Sequence, residues 1–486
     1  MPHLRTIYPR WALALFFALS TAAVTPPGHA IDDYQLPSLG GASTSVSNEE
    51  YRLGRAWLRQ FRAQAPQWQD PIVNDYVQGL IARLAPHSQL GNLQTTIVMV
   101  DNRSLNAFAV PGGVVGINSG LFAFAEDEGA FVSVLAHELG HLSQRHYARG
   151  SARAEQTQLP AMAAMLAGML IAASGGGDAG LAAAMGSQAA LIQDQLSYSR
   201  RFEQEADRIG LQAMANAGYD PEAMVRMFGA MQRMARLQGG TPPEFLLSHP
   251  VSDSRLSDAQ VRASQLRVAD TYTSNTLYDM MRARALLSIY HNTPQQAASR
   301  LDQENAGEPA QRYLGALIAA HNGQTDSALN TLDQLARELP DYSMLPASAA
   351  SIALDAQRYD DAITRSQRLL RLSPNYLPAQ LVLAEAQLQR NPEAAYNLLR
   401  EITARHPENP QGFSLLAEAA GRSGDNGWGH LARAEHLQLT GRIDSGIRQL
   451  SIAKDAARQE NDQQALARIE QRREAFLEYR EALEKF

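Results

Sequence analysis

The chain has 486 residues, more than one hydrophobic core usually serves, so we expect at least two domains. Hydrophobic residues make up 45% and charged residues 19%, which excludes a largely disordered or collagen-like chain, and the formal charge of −7 gives no basic excess that would indicate nucleic acid as a partner. Cysteine is absent, which excludes disulfides, iron–sulfur clusters and thiolate zinc sites, so any metal must be held by His, Asp and Glu.

Residues 1–30 are typical of an export signal. Arg5 and Arg10 give a positive start, an apolar run follows, and Gly28-His29-Ala30 offers small residues for cleavage after Ala30. The apolar run has about 14 residues, fewer than the roughly 20 of a membrane-spanning helix, which favours a cleaved signal over an uncleaved anchor. We therefore predict an exported protein.

The next segment has an α+β pattern. Residues 31–47 are rich in Gly, Ser, Thr and Pro and are predicted to form a flexible leader. A β-branched run predicts a strand at 95–100, and 106–113 is predicted to turn into a second strand at 114–118. Helical spacing predicts helices at 49–64, 70–84, 119–124 and 127–143.

From residue 275 the sequence predicts one helix after another. Leu339-Pro340-Asp341-Tyr342 matches Ser373-Pro374-Asn375-Tyr376 at an offset of about 34 residues, the period of a tetratricopeptide repeat. Ala328 and Ala362 have the same offset. The period favours an α-helical tetratricopeptide-repeat solenoid over 275–486, although a generic helical bundle is an alternative.

The strongest chemical signal is His137-Glu138-Leu139-Gly140-His141. On a helix, His137 and His141 project from the same face, where two imidazoles can bind one zinc ion. Glu138 lies beside the first ligand and can act as a general base on the attacking water. Alone, this pattern can also arise by chance on a polar helix face.

The third ligand decides the class of zinc peptidase. A metzincin needs Gly three residues and His six residues after the second ligand, but this chain has Gln144 and Tyr147 there, which excludes that class. His146 is one residue off this spacing, and we expect it to lie away from the metal.

Downstream, Glu203 and Asp207 are four residues apart on one helical face. Glu203 can be the third ligand, while Asp207 can accept a hydrogen bond from a ligand imidazole and fix its orientation. The alternative is a solvated acidic face, an interpretation that fits Glu205 better.

These motifs together resemble the HtpX and CaaX-prenyl-protease superfamily of gluzincin metallopeptidases. The resemblance covers roughly residues 47–269 and implies a zincin-like metallopeptidase domain with a small sheet, which we place at 48–270, so the predicted fold is mainly α (α+β). It rests on the motifs Asn106-Ala107-Phe108-Ala109, Pro111-Gly112-Gly113, 137–146, 201–210 and 248–255.

The resemblance implies a role for each matching residue. His137, His141 and Glu203 would bind one Zn²⁺ per chain, and Glu138 would be the general base. His249 would lie over the metal, where it either blocks the open coordination position or steadies the oxyanion; an ordinary turn before a helix is the third interpretation. Arg255 would organise the loop of His249 or the carboxylates of the site.

An export signal, a peptidase domain of this family and C-terminal repeats together resemble family members of the bacterial periplasm. The resemblance implies a zinc endopeptidase that degrades misassembled outer-membrane proteins and assists their assembly, with the repeats docking clients or the β-barrel assembly machinery. The rival function is a repeat adaptor or chaperone with a self-inhibited or vestigial peptidase domain.

Two features leave open how substrates reach the site. We expect the strand at 114–118 to present an edge on which an extended substrate adds. The apolar insert at 159–192 fits a lid or a hairpin in peripheral contact with a membrane; a buried helical pair is the favoured alternative.

Overall fold

The computed structural model describes residues 48–91, 93–153, 199–237, 244–268 and 275–484. The predicted export signal, the predicted leader and the apolar insert at 159–192 lie outside the described residues. The described part is mainly helical with a three-stranded sheet, which confirms the predicted fold class. None of its helices is both long enough and apolar enough to span a bilayer.

The first part of the chain combines the sheet with nine helices among the described residues. Residues 146–153 and 199–216 are the described parts of α5 and α6. The other elements are α1 (Asn48–Gln64), α2 (Pro71–Leu84), β1 (Thr96–Val100), β2 (Ala107–Val110), β3 (Val114–Asn118), α3 (Ser119–Phe124), α4 (Glu128–Ser143), α7 (Glu222–Leu237), α8 (Glu244–Ser248) and α9 (Asp253–Gln265).

The sheet has the order β1-β3-β2, with β3 parallel to β1 and antiparallel to β2. Two sequence predictions are therefore wrong. Residues 107–110 form a strand rather than part of a turn, and β3 is the central strand rather than an edge. The turn is confined to 111–113, where Gly112 and Gly113 have φ values of +79° and +81°, a conformation that glycine adopts readily. A strand of four residues next to such a turn is too short for an alternation of apolar and polar residues to be recognised in the sequence.

Helix α4 lies in the middle of this part of the chain. Asp127 caps its N-terminus by accepting a hydrogen bond from the backbone N–H of Ala130. Most of its side chains are buried, as the apolar run before His137 predicts. Helix α6 approaches it very closely, since a Cβ added at Gly140 would lie 2.8 Å from the Ala206 carbonyl oxygen. Small residues at this crossing thus bring the two helices with the predicted metal ligands together.

The second part of the chain is helical in all its described elements. Helices α12, α14, α16 and α18 begin at residues 308, 344, 377 and 410, which confirms the repeat period. Each helix packs on its neighbours in the array. The helices are α10 (Asn275–Ile289), α11 (Pro294–Gln303), α12 (Glu308–His321), α13 (Thr325–Glu338), α14 (Met344–Asp355), α15 (Tyr359–Leu372), α16 (Leu377–Arg390), α17 (Pro392–Arg405), α18 (Pro410–Ser423), α19 (Asn426–Leu439), α20 (Ile443–Gln459) and α21 (Gln463–Leu483).

Helix α10 joins the repeats to the first part of the chain. The Tyr278 hydroxyl donates a hydrogen bond to the Ala125 carbonyl oxygen at 2.9 Å, and Arg282 Nε donates to the Phe122 carbonyl oxygen at 3.1 Å. Both side chains are fully buried. They satisfy carbonyl groups at the C-terminal end of α3 that the helix itself leaves unpaired. One hydrophobic core therefore runs from the sheet into the repeats.

A partly buried arginine makes a second link between the two parts. Arg284 on α10 donates to Asp70 Oδ2 at 2.6 Å, to the Tyr313 hydroxyl at 2.6 Å and to Ser348 Oγ at 3.3 Å. Asp70 also caps α2, where its other oxygen accepts hydrogen bonds from two backbone N–H groups. One side chain thus connects three repeat helices to the start of α2.

We expect Arg284→Met to lower the free energy of unfolding by about 1–3 kcal/mol, because it removes the cation that pairs with the partly buried carboxylate of Asp70. Denaturant unfolding of the full chain would measure the change. Arg312→Met is the matched control, since Arg312 pairs with Glu338 at the surface and should shift the midpoint little. Equal shifts in the two variants would contradict the importance of this link.

Candidate metal centre

Four side chains from three helical segments meet at one point. The ligand atoms of His137, His141, Glu203 and His249 all lie within 4.8 Å of one another. The Nε2 atoms of His137 and His141 are 3.0 Å apart. Glu203 Oε2 lies 3.4 Å from His137 Nε2, and Glu203 Oε1 lies 3.2 Å from His141 Nε2. Helix α4 contributes the first two residues, α6 contributes Glu203, and His249 follows α8.

Asp207 holds the ring of His137 from behind. Asp207 Oδ1 lies 2.9 Å from His137 Nδ1, so the carboxylate accepts the Nδ1–H hydrogen bond and leaves the Nε2 lone pair facing the centre. Arg255 donates to both oxygens of Asp207 at 2.7 Å. Burial alone would raise the pKa of Asp207, but the hydrogen bonds from Arg255 and His137 keep this pKa below its usual range.

The ring of His141 is held through a second histidine. His141 Nδ1 lies 2.9 Å from His146 Nδ1, and His146 Nε2 lies 3.1 Å from Glu205 Oε2. His146 is 5% exposed, and burial lowers the pKa of its imidazole. Glu205 is thus partly exposed, as the solvated interpretation expects, but it also pairs with His146. His146, although not among the four converging residues, contacts one of them directly.

The converging atoms require a positive charge between them. When His137 and His141 each donate from Nδ1 to the groups behind them, both Nε2 atoms present lone pairs at 3.0 Å, next to the carboxylate of Glu203. Lone pairs this close repel one another unless a cation lies among them. Two imidazole nitrogens and one carboxylate with no thiolate are a donor set that suits a catalytic metal ion such as Zn²⁺.

The pKa shifts of His137, His141 and Glu203 show how the same crowding of lone pairs affects protonation. Burial favours the neutral ring of His137, but Asp207 and Glu203 outweigh this effect and raise its pKa to about 10. Burial lowers the pKa of His141 to about 3. Burial also acts to raise the pKa of Glu203, yet hydrogen bonds from three histidines hold it far below its usual range. These shifts favour a single positive charge between the three side chains.

Glu138 lies beside the centre and is 1% exposed. Burial raises the pKa of its carboxyl group, while the backbone N–H of Ala109 on β2 donates a hydrogen bond that partly offsets the effect. Its Oε1 atom is buried without a hydrogen-bond partner and lies 3.6 Å from His249 Nε2. A carboxylate with a free, buried oxygen and a raised pKa is suited to accept a proton from a water in the site.

His249 lies among the converging atoms rather than above them. Its Nδ1 is 3.1 Å from both oxygens of Glu203 and 3.3 Å from His137 Nε2. Its backbone N–H donates to the carbonyl oxygen of Phe245 in α8. The imidazole thus occupies space that a fourth ligand of the metal would need.

Arg255 contacts both of the groups that the sequence analysis considered for it. Its Nη1 lies 2.9 Å from Glu203 Oε2 and donates to the Pro250 carbonyl oxygen at 2.8 Å. The guanidinium also lies over the ring of Phe228. One buried arginine therefore links Glu203, Asp207 and the backbone next to His249.

Sequence reasoning missed three contributors to this site. His146 was set aside because its spacing does not fit a ligand, Glu205 because it fitted a solvated acidic face, and Ala109 because its strand was not recognised. The available signal was the i, i+5 spacing of His141 and His146, which places a second imidazole just beyond the end of a helix.

The comparisons with known proteins agree with this geometry. Residues 71–263 match peptidase family M48, and residues 353–419 match a tetratricopeptide-repeat family. A beta-barrel assembly-enhancing protease of Escherichia coli strain K12 is 33% identical over 471 residues, which cover 95% of this chain and 96% of the relative. The protein of the same name from Yersinia pestis is 34% identical and covers 92% of this chain and 94% of the relative.

A more distant relative matches only part of the chain. The mitochondrial metalloendopeptidase OMA1 of Arabidopsis thaliana is 26% identical over 252 residues, which cover 48% of this chain and 46% of the relative. Because the bacterial relatives align over nearly their whole length at more than 30% identity, the chain belongs to peptidase family M48 and carries tetratricopeptide repeats after its peptidase domain.

Proposed function

We propose that this protein is a periplasmic zinc endopeptidase that degrades unfolded or misassembled outer-membrane proteins and assists their assembly. The observation that carries the proposal is the convergence of His137, His141 and Glu203 beside the buried carboxylate of Glu138. The relatives that match most of the chain are named as proteases that enhance β-barrel assembly, which supports the choice of substrate.

In this proposal each residue of the site has one task. His137, His141 and Glu203 would hold Zn²⁺, which when bound would polarise the scissile carbonyl and make a water molecule more acidic. Glu138 takes the proton of the attacking water and returns it to the leaving amine. Asp207 and Arg255 keep His137 in the tautomer that presents Nε2 to the metal.

The edge strand β2 is the proposed docking position for an extended substrate. It is an edge of the sheet among the described strands, and its residue Ala109 donates a backbone hydrogen bond to Glu138. A peptide added along this edge would pass next to the general base. Since a peptide must be extended to add in this way, unfolded segments are favoured over folded domains.

The repeats are proposed to dock clients or the β-barrel assembly machinery, since stacked helical repeats offer extended binding surfaces. We further propose that the chain is exported to the periplasm and that its first 30 residues are removed by cleavage after Ala30. In this proposal the peptidase domain spans 48–270 and the repeat domain spans 275–486.

A second candidate function is a chaperone or adaptor whose peptidase is self-inhibited. The observation that favours it is the position of His249, whose imidazole lies 3.1 Å from Glu203 and fills the open side of the site. Both functions can operate in one chain if the loop of His249 moves.

We expect Glu138→Gln to lower the rate of cleavage of an unfolded outer-membrane protein by about 10²–10⁴-fold, because the amide cannot accept the proton of the water. Cleavage of the urea-denatured client by the zinc-loaded full chain would be followed by gel densitometry. The same client refolded in detergent should resist cleavage.

Glu126→Gln is the matched control for this variant, since Glu126 is an exposed carboxylate just before α4. Its cleavage rate should equal that of the unmodified chain. Undiminished cleavage by Glu138→Gln would rule out the proposed mechanism. A variant that loses cleavage but still promotes barrel assembly would favour the chaperone function alongside it.

We expect Glu203→Gln to reduce bound zinc from one ion per chain to a small fraction, because it replaces the anionic ligand with a neutral amide. Metal content after dialysis would be measured by mass spectrometry on the folded variant. Asp258→Asn is the control, as this carboxylate pairs with two arginines at the surface, Arg208 and Arg262. Full zinc occupancy in Glu203→Gln would show that another residue is the third ligand.

We expect His249→Ala to raise cleavage of the unfolded client several-fold, because the imidazole fills space at the open side of the metal centre. The turnover number of the zinc-loaded chain is the measurement, and His87→Ala, at an exposed histidine, is the control. A decrease in the turnover number would instead assign His249 to stabilisation of the oxyanion.

A further inference from the structure

A chain of hydrogen bonds leads from His141 to the protein surface. His141 Nδ1 lies 2.9 Å from His146 Nδ1, and His146 Nε2 lies 3.1 Å from Glu205 Oε2. Arg149 Nη1 donates to the same oxygen of Glu205 at 3.0 Å. The chain thus runs through two imidazoles and ends on a carboxylate that is fixed by a guanidinium.

The direction of these hydrogen bonds follows from the carboxylate. Ionised Glu205 can only accept, so His146 donates from Nε2, and its Nδ1 is then an acceptor. His141 must therefore donate from its own Nδ1, which leaves its Nε2 lone pair toward His137 and Glu203. If either hydrogen bond of this chain ran in the opposite direction, a proton would lie on His141 Nε2, the nitrogen that faces the centre.

The backbone and the packing hold His146 in this position. Arg145, at φ +51°, adopts the left-handed conformation just after α4 and lets the chain fold back, so that α5 begins at His146. The ring of His146 stacks on Phe202, with centroids 4.1 Å apart and planes at 18°. Because Phe202 precedes Glu203 on α6, this stack also ties the third ligand to the same support.

We propose that His146 and Glu205 form a relay that fixes His141 in the tautomer that presents Nε2 to the metal. His146 is a positioning residue in this assignment, since it acts through His141 and is not itself a ligand. The inference rests on the proposed metal site and adds a second support to it. His137 is held by a carboxylate directly, whereas His141 is held by a carboxylate through an intervening imidazole.

The test compares two substitutions that separate hydrogen bonding from packing. His146→Phe keeps a ring on Phe202 but removes the acceptor, and we expect it to weaken zinc binding by about 10–100-fold. His146→Asn offers an amide oxygen near the position of Nδ1 and should lose less than about tenfold in affinity. Glu205→Gln should lie between the two.

Zinc affinity of the full chain would be measured by competition with a chelator of known affinity, and the absorption spectrum of the Co²⁺-loaded chain would report on the ligand geometry. We expect an altered Co²⁺ spectrum for His146→Phe and recovery for His146→Asn. The control is Asp258→Asn, a surface carboxylate that, like Glu205, accepts from two side chains. Thermal unfolding of the metal-free variants checks that each one folds.

The outcomes separate this inference from the proposed function. Unchanged zinc affinity in His146→Phe, while Glu203→Gln loses the metal, would overturn the relay and leave the metal site intact. Equal losses in His146→Phe and His146→Asn would also overturn it, because packing alone would then account for the effect. Failure of the unmodified chain to bind zinc would instead refute the metal site itself.

Discussion

The structure depends on one electrostatic constraint, the meeting of two imidazole lone pairs and a carboxylate in a buried place. Atoms of this kind repel one another, so each must be fixed from behind and a cation must lie between them. Asp207, Arg255 and His146 provide the fixing, and all three are at most 5% exposed. The contact of Gly140 with Ala206 serves the same end, since only closely packed helices can bring Glu203 to the two histidines.

The supports on the two sides of the centre differ in kind. His137 and His141 belong to a long, buried helix whose N-terminus is capped, so their backbone has little freedom. His249 instead follows a five-residue helix and is held by Glu203, by its backbone and ring contacts with Phe245, and by the contact of Arg255 with the Pro250 carbonyl oxygen. The ligands from α4 therefore lie within a long buried helix, while the residue that fills the open side lies just after a short one.

Much of the fold could be predicted from local patterns, because helix caps, apolar runs and a repeat period are short-range signals. The four-residue spacings of His137 and His141 and of Glu203 and Asp207 could be predicted in the same way, because both residues of each pair lie on one helix. Strand β2 could not be predicted, because four residues give too short an alternation of inward and outward side chains. The hydrogen-bond link from His141 to Glu205 could not be predicted, because it depends on the reversal of the chain at Arg145. A periodic pattern of residue types does not indicate such a reversal.

The hydrogen bonds of α10 have a consequence for the way this protein can be divided. Tyr278 and Arg282 are counted among the repeats by sequence, but both donate hydrogen bonds to carbonyl groups at the end of α3, and the ring of Tyr278 packs against Phe122 and Phe131. A chimera that exchanges the repeats of two relatives at residue 270 would therefore exchange part of the peptidase core as well. A junction after Ile289, one helix beyond the proposed limit at residue 275, keeps that core with its own sequence.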